Sequence, residues 1–390
     1  MTTCPACGAD GDWTHPFHAR DGVPVNSCLL VDTAEQAEGF PTGVLRLAVC
    51  RSCGFLMNTA FDPAMTEYSS RYEETQGYSA RFNDFARALA KRWVDDYGLH
   101  GKHVLEIGCG KGEFLAMMVE AGAGSGTGID PSVHPDRIDD ALSDRLTWIA
   151  DFYRPEYGEI AADAIVCRHT LEHIAPVADF LREIRASIGD RTDITVLFEL
   201  PDVERVLAEG AFWDVYYEHC SYFTLDTLVT TFARCGFTVL AADKAFDDQY
   251  LLIEAVPDTA AAEGIEIPVD RIVTTATVEL ADAYAIGYER RVAALRNEAE
   301  TTDGPVVAWG GGSKGVTYVE VVGAERIDAV VDINPHKHGK FLPGTGLEVV
   351  GPESLIDTQP EMVVVMNPVY VEEISGQLAD LGLHPKVVAL

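Results

Sequence analysis

The stretch His103-Val104-Leu105-Glu106-Ile107-Gly108-Cys109-Gly110-Lys111-Gly112-Glu113-Phe114 sets the reading of this chain. A short apolar run, three alternating glycines and a helical apolar pattern predict a buried strand, a glycine turn and a helix. The glycines let a ligand approach the backbone closely, and the helix N-terminus presents N–H donors at the same point. Such a turn is a weak signal until its surroundings are read. A second short strand ends in Gly128-Ile129-Asp130-Pro131, about twenty residues on, where a strand tip can offer an acid to ribose hydroxyls. Trp148-Ile149-Ala150-Asp151-Phe152 adds a carboxylate beside an aromatic, and Asp163 to Arg168 reads as a further strand.

This order is similar to that of class I S-adenosylmethionine-dependent methyltransferases more than to dinucleotide enzymes, because G-x-G-x-x-G is missing. The resemblance implies an α/β, Rossmann-like domain. It assigns Gly108 and Gly110 to the amino-acid part of the cofactor, Asp130 to the ribose, and Asp151 with Phe152 to the adenine. Glu106, Cys109, Pro131, Arg168 and His169 complete the expected cofactor set. A domain of the same class that binds another nucleotide is the alternative. His169-Thr170-Leu171-Glu172-His173 follows, and its His-x-x-Glu-His order departs from the zincin helix. His169 or His173 is expected near the substrate, the other reading being a satisfied structural histidine.

The next predicted strand, Thr195 to Leu200, leads into Trp213 to Phe223, reading WDVYYEHCSYF. Ligands of open α/β sheets gather at the C-terminal ends of strands, so this segment should overhang the cofactor. His219, with an ordinary pKa of about 6.5, is the best-placed neutral base. Glu218 is a candidate to orient it, although neighbours on a strand point to opposite faces. Tyr216 and Tyr217 can donate hydrogen bonds to a developing oxyanion.

Among nine cysteines, four are patterned: Cys4-Pro5-Ala6-Cys7-Gly8 and Cys50-Arg51-Ser52-Cys53-Gly54. Two such knuckles predict a closed, structural four-sulfur zinc site. His15 and His18 lie between them as lesser candidates. With 62 acidic and 29 basic residues the net charge is −33, which repels phosphate backbones and makes nucleic acid a poor partner. An anionic substrate would need a local patch such as Lys314, Lys337 and Lys340. No basic flank with an apolar segment opens the chain and no run approaches eighteen apolar residues, so a soluble, cytoplasmic protein without membrane association is expected.

At Tyr216-Tyr217-Glu218-His219-Cys220-Ser221-Tyr222-Phe223 the chain resembles the sugar C-methyltransferases, which act on nucleotide-linked deoxy-4-keto-hexoses in antibiotic sugar pathways. The resemblance spans almost the full length. It implies a zinc-binding module over 1–66, a central methyltransferase domain over 67–257 and a C-terminal Rossmann-like domain for the nucleotide-diphosphate sugar over 258–390. It makes His219 the general base with Glu218 and Tyr216 as companions, His173 nearby, and Tyr72 or Tyr78 an added contact from the linker. The chain departs from the family where His-Gly-Gly-Ser-Leu-Arg is replaced by a strand read from Asp247 to Glu254, and where Tyr217 stands for a histidine.

Pro257 to Pro268 reads as the last domain boundary, followed by a long helix to Asn297 and a second strand, glycine loop and helix at Val306 to Gly315. Gly311, Ser313 and Lys314 suit a diphosphate, with Asn334, Lys337, Lys340 and Asn367 at later strand ends. A purely structural or dimerising domain is the other reading, and monomer and homodimer both stay open. For the whole chain the alternatives are an O- or N-methyltransferase of a small metabolite and a zinc-stapled cofactor-binding scaffold without turnover.

Overall fold

A computed structural model describes residues 3–69, 71–258 and 271–390. The opening stretch forms strand His103–Ile107, a glycine turn and helix Glu113–Glu120. Around it runs a seven-stranded sheet. His103–Ile107 pairs in parallel with Ser125–Ile129 on one side and Ala164–Arg168 on the other, so the strand order reverses there. Leu146–Ile149 extends one edge and Thr195–Pro201 the other, both in parallel. The antiparallel hairpin of Phe237–Ala245 and Tyr250–Pro257 closes the far edge. A reversal point in an open sheet leaves a crevice beyond the strand C-termini, the place for a ligand.

The stretch read as a strand from Asp247 begins as a turn instead. Phe246, Asp247 and Asp248 all have positive φ, and the strand starts only at Tyr250. Three consecutive left-handed residues reverse the chain too sharply for a ladder. The boundary segment Pro257 to Pro268 lies almost wholly outside the described residues.

A second sheet is parallel throughout, in the order Val349–Val350, Ala329–Val331, Val306–Trp309, Met362–Val365, Lys386–Ala389. Its strand ends, carrying Gly310, Asp332 and Asn367, face those of the first sheet across one cleft.

The third sheet is antiparallel and small: Thr14–Pro24, Thr42–Cys50 and Leu56–Asn58. Its fourth strand, Ser221–Tyr222, comes from the central part of the chain, with Leu56 opposite Tyr222 and Met57 opposite Ser221. Phe223, fully buried, packs on the Phe55 ring at 5.0 Å between centroids. Burying a phenylalanine side chain contributes about 1.5–3 kcal/mol, which fixes the WDVYYEHCSYF segment to the small sheet. The long helix Arg271–Glu300 packs against this sheet and helix Val203–Glu209. Among the described residues, no helix is long and apolar enough to cross a membrane.

Candidate active site

The glycine turn is shaped by crowding. Gly108 has φ +68°, and a Cβ there would fall 2.0 Å from the Thr170 hydroxyl, so only glycine lets the loop after Arg168 close on it. Gly110 donates its N–H to Asp130 Oδ2 (3.0 Å), while Ser132 donates both its N–H and its hydroxyl to Oδ1 (2.6 Å each). Asp130 is thereby pinned at the cleft mouth beside Pro131. Asp151 accepts from Arg154 and the Tyr157 hydroxyl, which holds its carboxyl below the ordinary range, and the 57 % exposed Phe152 ring stands at the rim. Glu106 is buried with Oε2 unpartnered; burial pushes its carboxyl up to about 8 although Arg168 works against it. Cys109 also lines the cleft, its thiol pushed well up by burial.

Arg168 lines the cleft but is committed within the protein. It donates twice to Glu199 (2.7 and 3.1 Å), and its guanidinium lies 3.9 Å over the Phe114 ring. His169, in left-handed backbone with φ 47°, reaches Glu199 at 3.0 Å and Glu172 at 3.7 Å. Burial alone would lower its pKa, yet these two carboxylates raise it to about 9, so His169 is an imidazolium at neutral pH.

The pairing of Ser221–Tyr222 with the small sheet brings His219 beside Glu172 and His173. Cys220 donates its N–H to the Glu172 carbonyl (3.0 Å), which locks the two loops together. His219 is only 6 % exposed; its ring centre lies 4.1 Å from that of Tyr216 and 4.7 Å from that of His173. Burial, with His173, His169 and Lys314 adding positive field, lowers its pKa well below the ordinary value. The imidazole is therefore neutral and able to accept a proton. The Glu172 carboxylate stands 4.0 Å from His219 Nε2. His173 Nδ1 lies 3.0 Å from the Glu218 carbonyl, which can only accept, so this nitrogen carries the proton. The Tyr68 hydroxyl is 2.9 Å from the same nitrogen.

Glu218 lies in a turn ahead of strand Ser221–Tyr222 and does not line the cleft. Its Oε1 accepts from the Ser27 N–H (2.8 Å) and hydroxyl, and the Ser27 hydroxyl is 2.6 Å from that of Ser313. Burial pushes the Glu218 carboxyl up to about 7 against the pull of those hydrogen bonds. Glu218 thus ties the segment to the small sheet and the second glycine loop, while Glu172 is the carboxylate that faces His219. Tyr217 is a correction to the sequence reading. It is buried against Phe61, and its hydroxyl accepts from the Asp62 N–H (2.9 Å), so it cannot meet a substrate in the cleft. Of the two linker tyrosines, Tyr72 is buried inside the cleft and the 39 % exposed Tyr78 sits at its rim.

The second glycine loop repeats the first. Gly311 donates its N–H to Asp332 Oδ2 (2.8 Å), and Asn334 donates its N–H to Oδ1 (2.8 Å). Lys337 is buried against the same Asp332 (3.0 Å), and Lys314 pairs with Asp214. Asn334 also donates to Glu73 (3.0 Å), and Asn367 exchanges amide hydrogen bonds with Gln249. Ser313, Lys314, Asn334, Lys337 and Asn367 line the cleft, but Gly311 does not. Lys340 is a second correction: it lies outside the cleft in an exposed pair with Asp32 (2.5 Å). The three lysines do not form one patch.

Cys4, Cys7, Cys50 and Cys53 converge with all four sulfurs within 4.8 Å of one another. Cys4 to Cys53 measures 3.9 Å and Cys7 to Cys50 3.8 Å, far beyond a disulfide bond but close to the roughly 3.8 Å edge of a tetrahedron with 2.3 Å metal–sulfur bonds. The donor set fits zinc. His15 is paired with Asp282 (2.7 Å) and His18 is wedged between Tyr284 and Tyr288, so neither joins it.

Sequence reasoning missed Tyr68, Ser27 and Glu74 and gave Glu172 no role. Only the histidine-flanked position of Glu172 was a signal, and the others depend on long-range folding.

A family model described as a methyltransferase domain matches residues 78–242, and one described as a C-methyltransferase C-terminal domain matches 281–384. The C-methyltransferase NovU of Streptomyces niveus is 25 % identical over 391 residues, 95 % of this chain and 90 % of that protein. Among solved structures, the N,N-8-amino-8-demethyl-D-riboflavin dimethyltransferase of Streptomyces davawensis is 22 % identical with a TM-score of 0.36, over 46 % of this chain and 56 % of that one. The 1,6-didemethyltoxoflavin-N1-methyltransferase of Burkholderia thailandensis, with S-adenosylhomocysteine bound, is 18 % identical with a TM-score of 0.37, over 47 % and 82 %.

Proposed function

We propose that this chain is a C-methyltransferase that uses S-adenosylmethionine and that it methylates a carbon next to a ketone of a nucleotide-linked deoxysugar through His219-assisted enolate formation. The observation that carries the reading is a neutral, buried His219 on the wall of a cleft of about 800 Å³ that lies between the strand ends of the seven-stranded and five-stranded sheets. A carbon nucleophile has to be made by removing an α-proton. His219 takes that proton, the C–H electron pair becomes the enolate, and the Tyr216 or Tyr72 hydroxyl donates to the enolate oxygen. A positioned base contributes roughly 100- to 10,000-fold. When bound, the cofactor supplies an electrophilic methyl group on a sulfonium, and the chain's task is to hold the enolate carbon in line with it.

The residues at the first glycine turn suit that cofactor. Asp130 is fixed for hydroxyl recognition, Phe152 offers an apolar face, and Glu106 keeps an unpartnered oxygen for a cationic group. The sugar nucleotide is supported by the second glycine loop, since helix Ser313–Val322 starts at the cleft without a side-chain cap and leaves N–H donors for a diphosphate. Zinc is assigned to the four-cysteine cluster as a structural ion.

The test is solvent exchange of the acceptor's α-proton, followed by NMR in deuterated water. His219→Ala should abolish exchange while cofactor affinity is kept. Unchanged exchange would remove His219 as the base, and methyl transfer to oxygen or nitrogen without exchange would favour the O- or N-methyltransferase reading.

A further inference from the structure

We infer that Glu74 is a cofactor-binding residue whose carboxylate accepts the α-ammonium of the cofactor's methionine part. The inference rests on the cofactor reading above and adds a ligand from outside the sheet. Glu74 belongs to the linker before the first helix of the central domain, yet it lines the cleft directly over the glycine turn. A Cβ on Gly110 would lie 2.9 Å from Glu74 Oε1, so the carboxylate occupies the space that this glycine leaves open. Its Oε2 is shut off from solvent and receives no hydrogen bond.

The nearest cation is Lys111, whose ammonium stands 3.6 Å from Oε2. Two of its three N–H groups go to the carbonyls of Tyr72 and Ser132, and 3.6 Å is too long for the third to hydrogen-bond Oε2, so it supplies field without satisfying the carboxylate. The side chain as a whole is 31 % exposed, but loss of water at the carboxyl pushes it up to about 7, Lys111 working against this and Asp130 and Glu73 adding to it. A further cation beside Glu74 would relieve that penalty, as a lost hydrogen bond to a buried charge is costly. Glu106, with its own unpartnered Oε2, lines the same cleft. Of the polar groups in the methionine part, only a primary ammonium is a cation with several donors, and a carboxylate short of donors suits it.

Calorimetric titration of wild type and Glu74→Gln with three ligands tests this without turnover. S-adenosylhomocysteine carries the ammonium and carboxylate, its decarboxylated analogue keeps only the ammonium, and methylthioadenosine has neither. Glu74→Gln should weaken the first two by about 10- to 100-fold and leave methylthioadenosine unchanged. Glu74→Asp, which keeps the charge on a shorter arm, should lie in between for the two amines. No loss for the amines, or an equal loss for all three ligands, would overturn the inference, the latter because it marks a general role in shaping the cleft. Failure of the wild type to bind any of them would instead bring down the cofactor reading itself.

Discussion

The two glycine turns are built alike but flanked by different ionisable groups. In each, a loop N–H is donated to an aspartate at the next strand end: Gly110 to Asp130 in the first, Gly311 to Asp332 in the second. In each, that aspartate also accepts the N–H two residues on, from Ser132 and Asn334. The surroundings differ. Glu106 and Glu74 stand by the first turn with unpartnered oxygens, whereas Lys314 and Lys337 stand by the second. On the proposed reading, one scaffold serves a cationic ligand at one end of the cleft and an anionic one at the other, with the sign set by a few side chains beside each turn.

The largest expected effect comes from removing the support common to both halves. Cys50→Ser should abolish binding of one zinc ion, measured by native mass spectrometry; structural zinc sites carry apparent binding energies of about 10–16 kcal/mol. Because Leu56–Asn58 carries Ser221–Tyr222, loss of the module should also displace His219 and silence α-proton exchange. Folded, metal-free protein with intact exchange would refute the staple. His219→Ala should lower turnover by roughly 100- to 10,000-fold while both halves still bind their ligands. A simultaneous loss of affinity on either side would assign His219 to binding instead.

Lys337→Met sharpens the contrast of charge. It should weaken a nucleoside diphosphate by about 10-fold and leave S-adenosylhomocysteine unchanged, read by calorimetry. Equal effects on the two ligands would mean that Lys337 only neutralises Asp332. The smallest effect concerns stability. The folded pKa of His169 is raised from 6.5 to about 9, so its ion pairs stabilise the fold fully below pH 6.5 and lose that contribution as pH rises through 9. The melting-temperature gap between wild type and His169→Gln should be widest near pH 6 and close above pH 9; a gap independent of pH would contradict the imidazolium.

Much of this was legible locally. The strand–turn–helix units at His103 and Val306 follow from apolar runs and glycines, and the cysteine knuckles from their spacing, because each is decided by residues within a few positions of one another. The segment ahead of Ser221 is a turn and not the strand the sequence suggested, so alternation does not say which of its side chains meets the cleft, and Tyr217 was misplaced for that reason: the Phe61 and Asp62 that receive it are more than 150 positions away. Lys340 was misplaced because closeness in sequence to Lys337 says nothing about which side of the loop each lysine takes.

By itself, then, the sequence determined the two α/β units, the four-sulfur donor set and the histidine proposed as the base, since these depend on residue type and short-range period. Only the tertiary structure decided that Ser221–Tyr222 joins the small sheet, that Glu172 rather than Glu218 faces His219, and that Glu74 lies over the glycine turn. Those outcomes depend on contacts between distant segments, where packing and the need to pair buried polar groups choose among arrangements that local patterns leave equal.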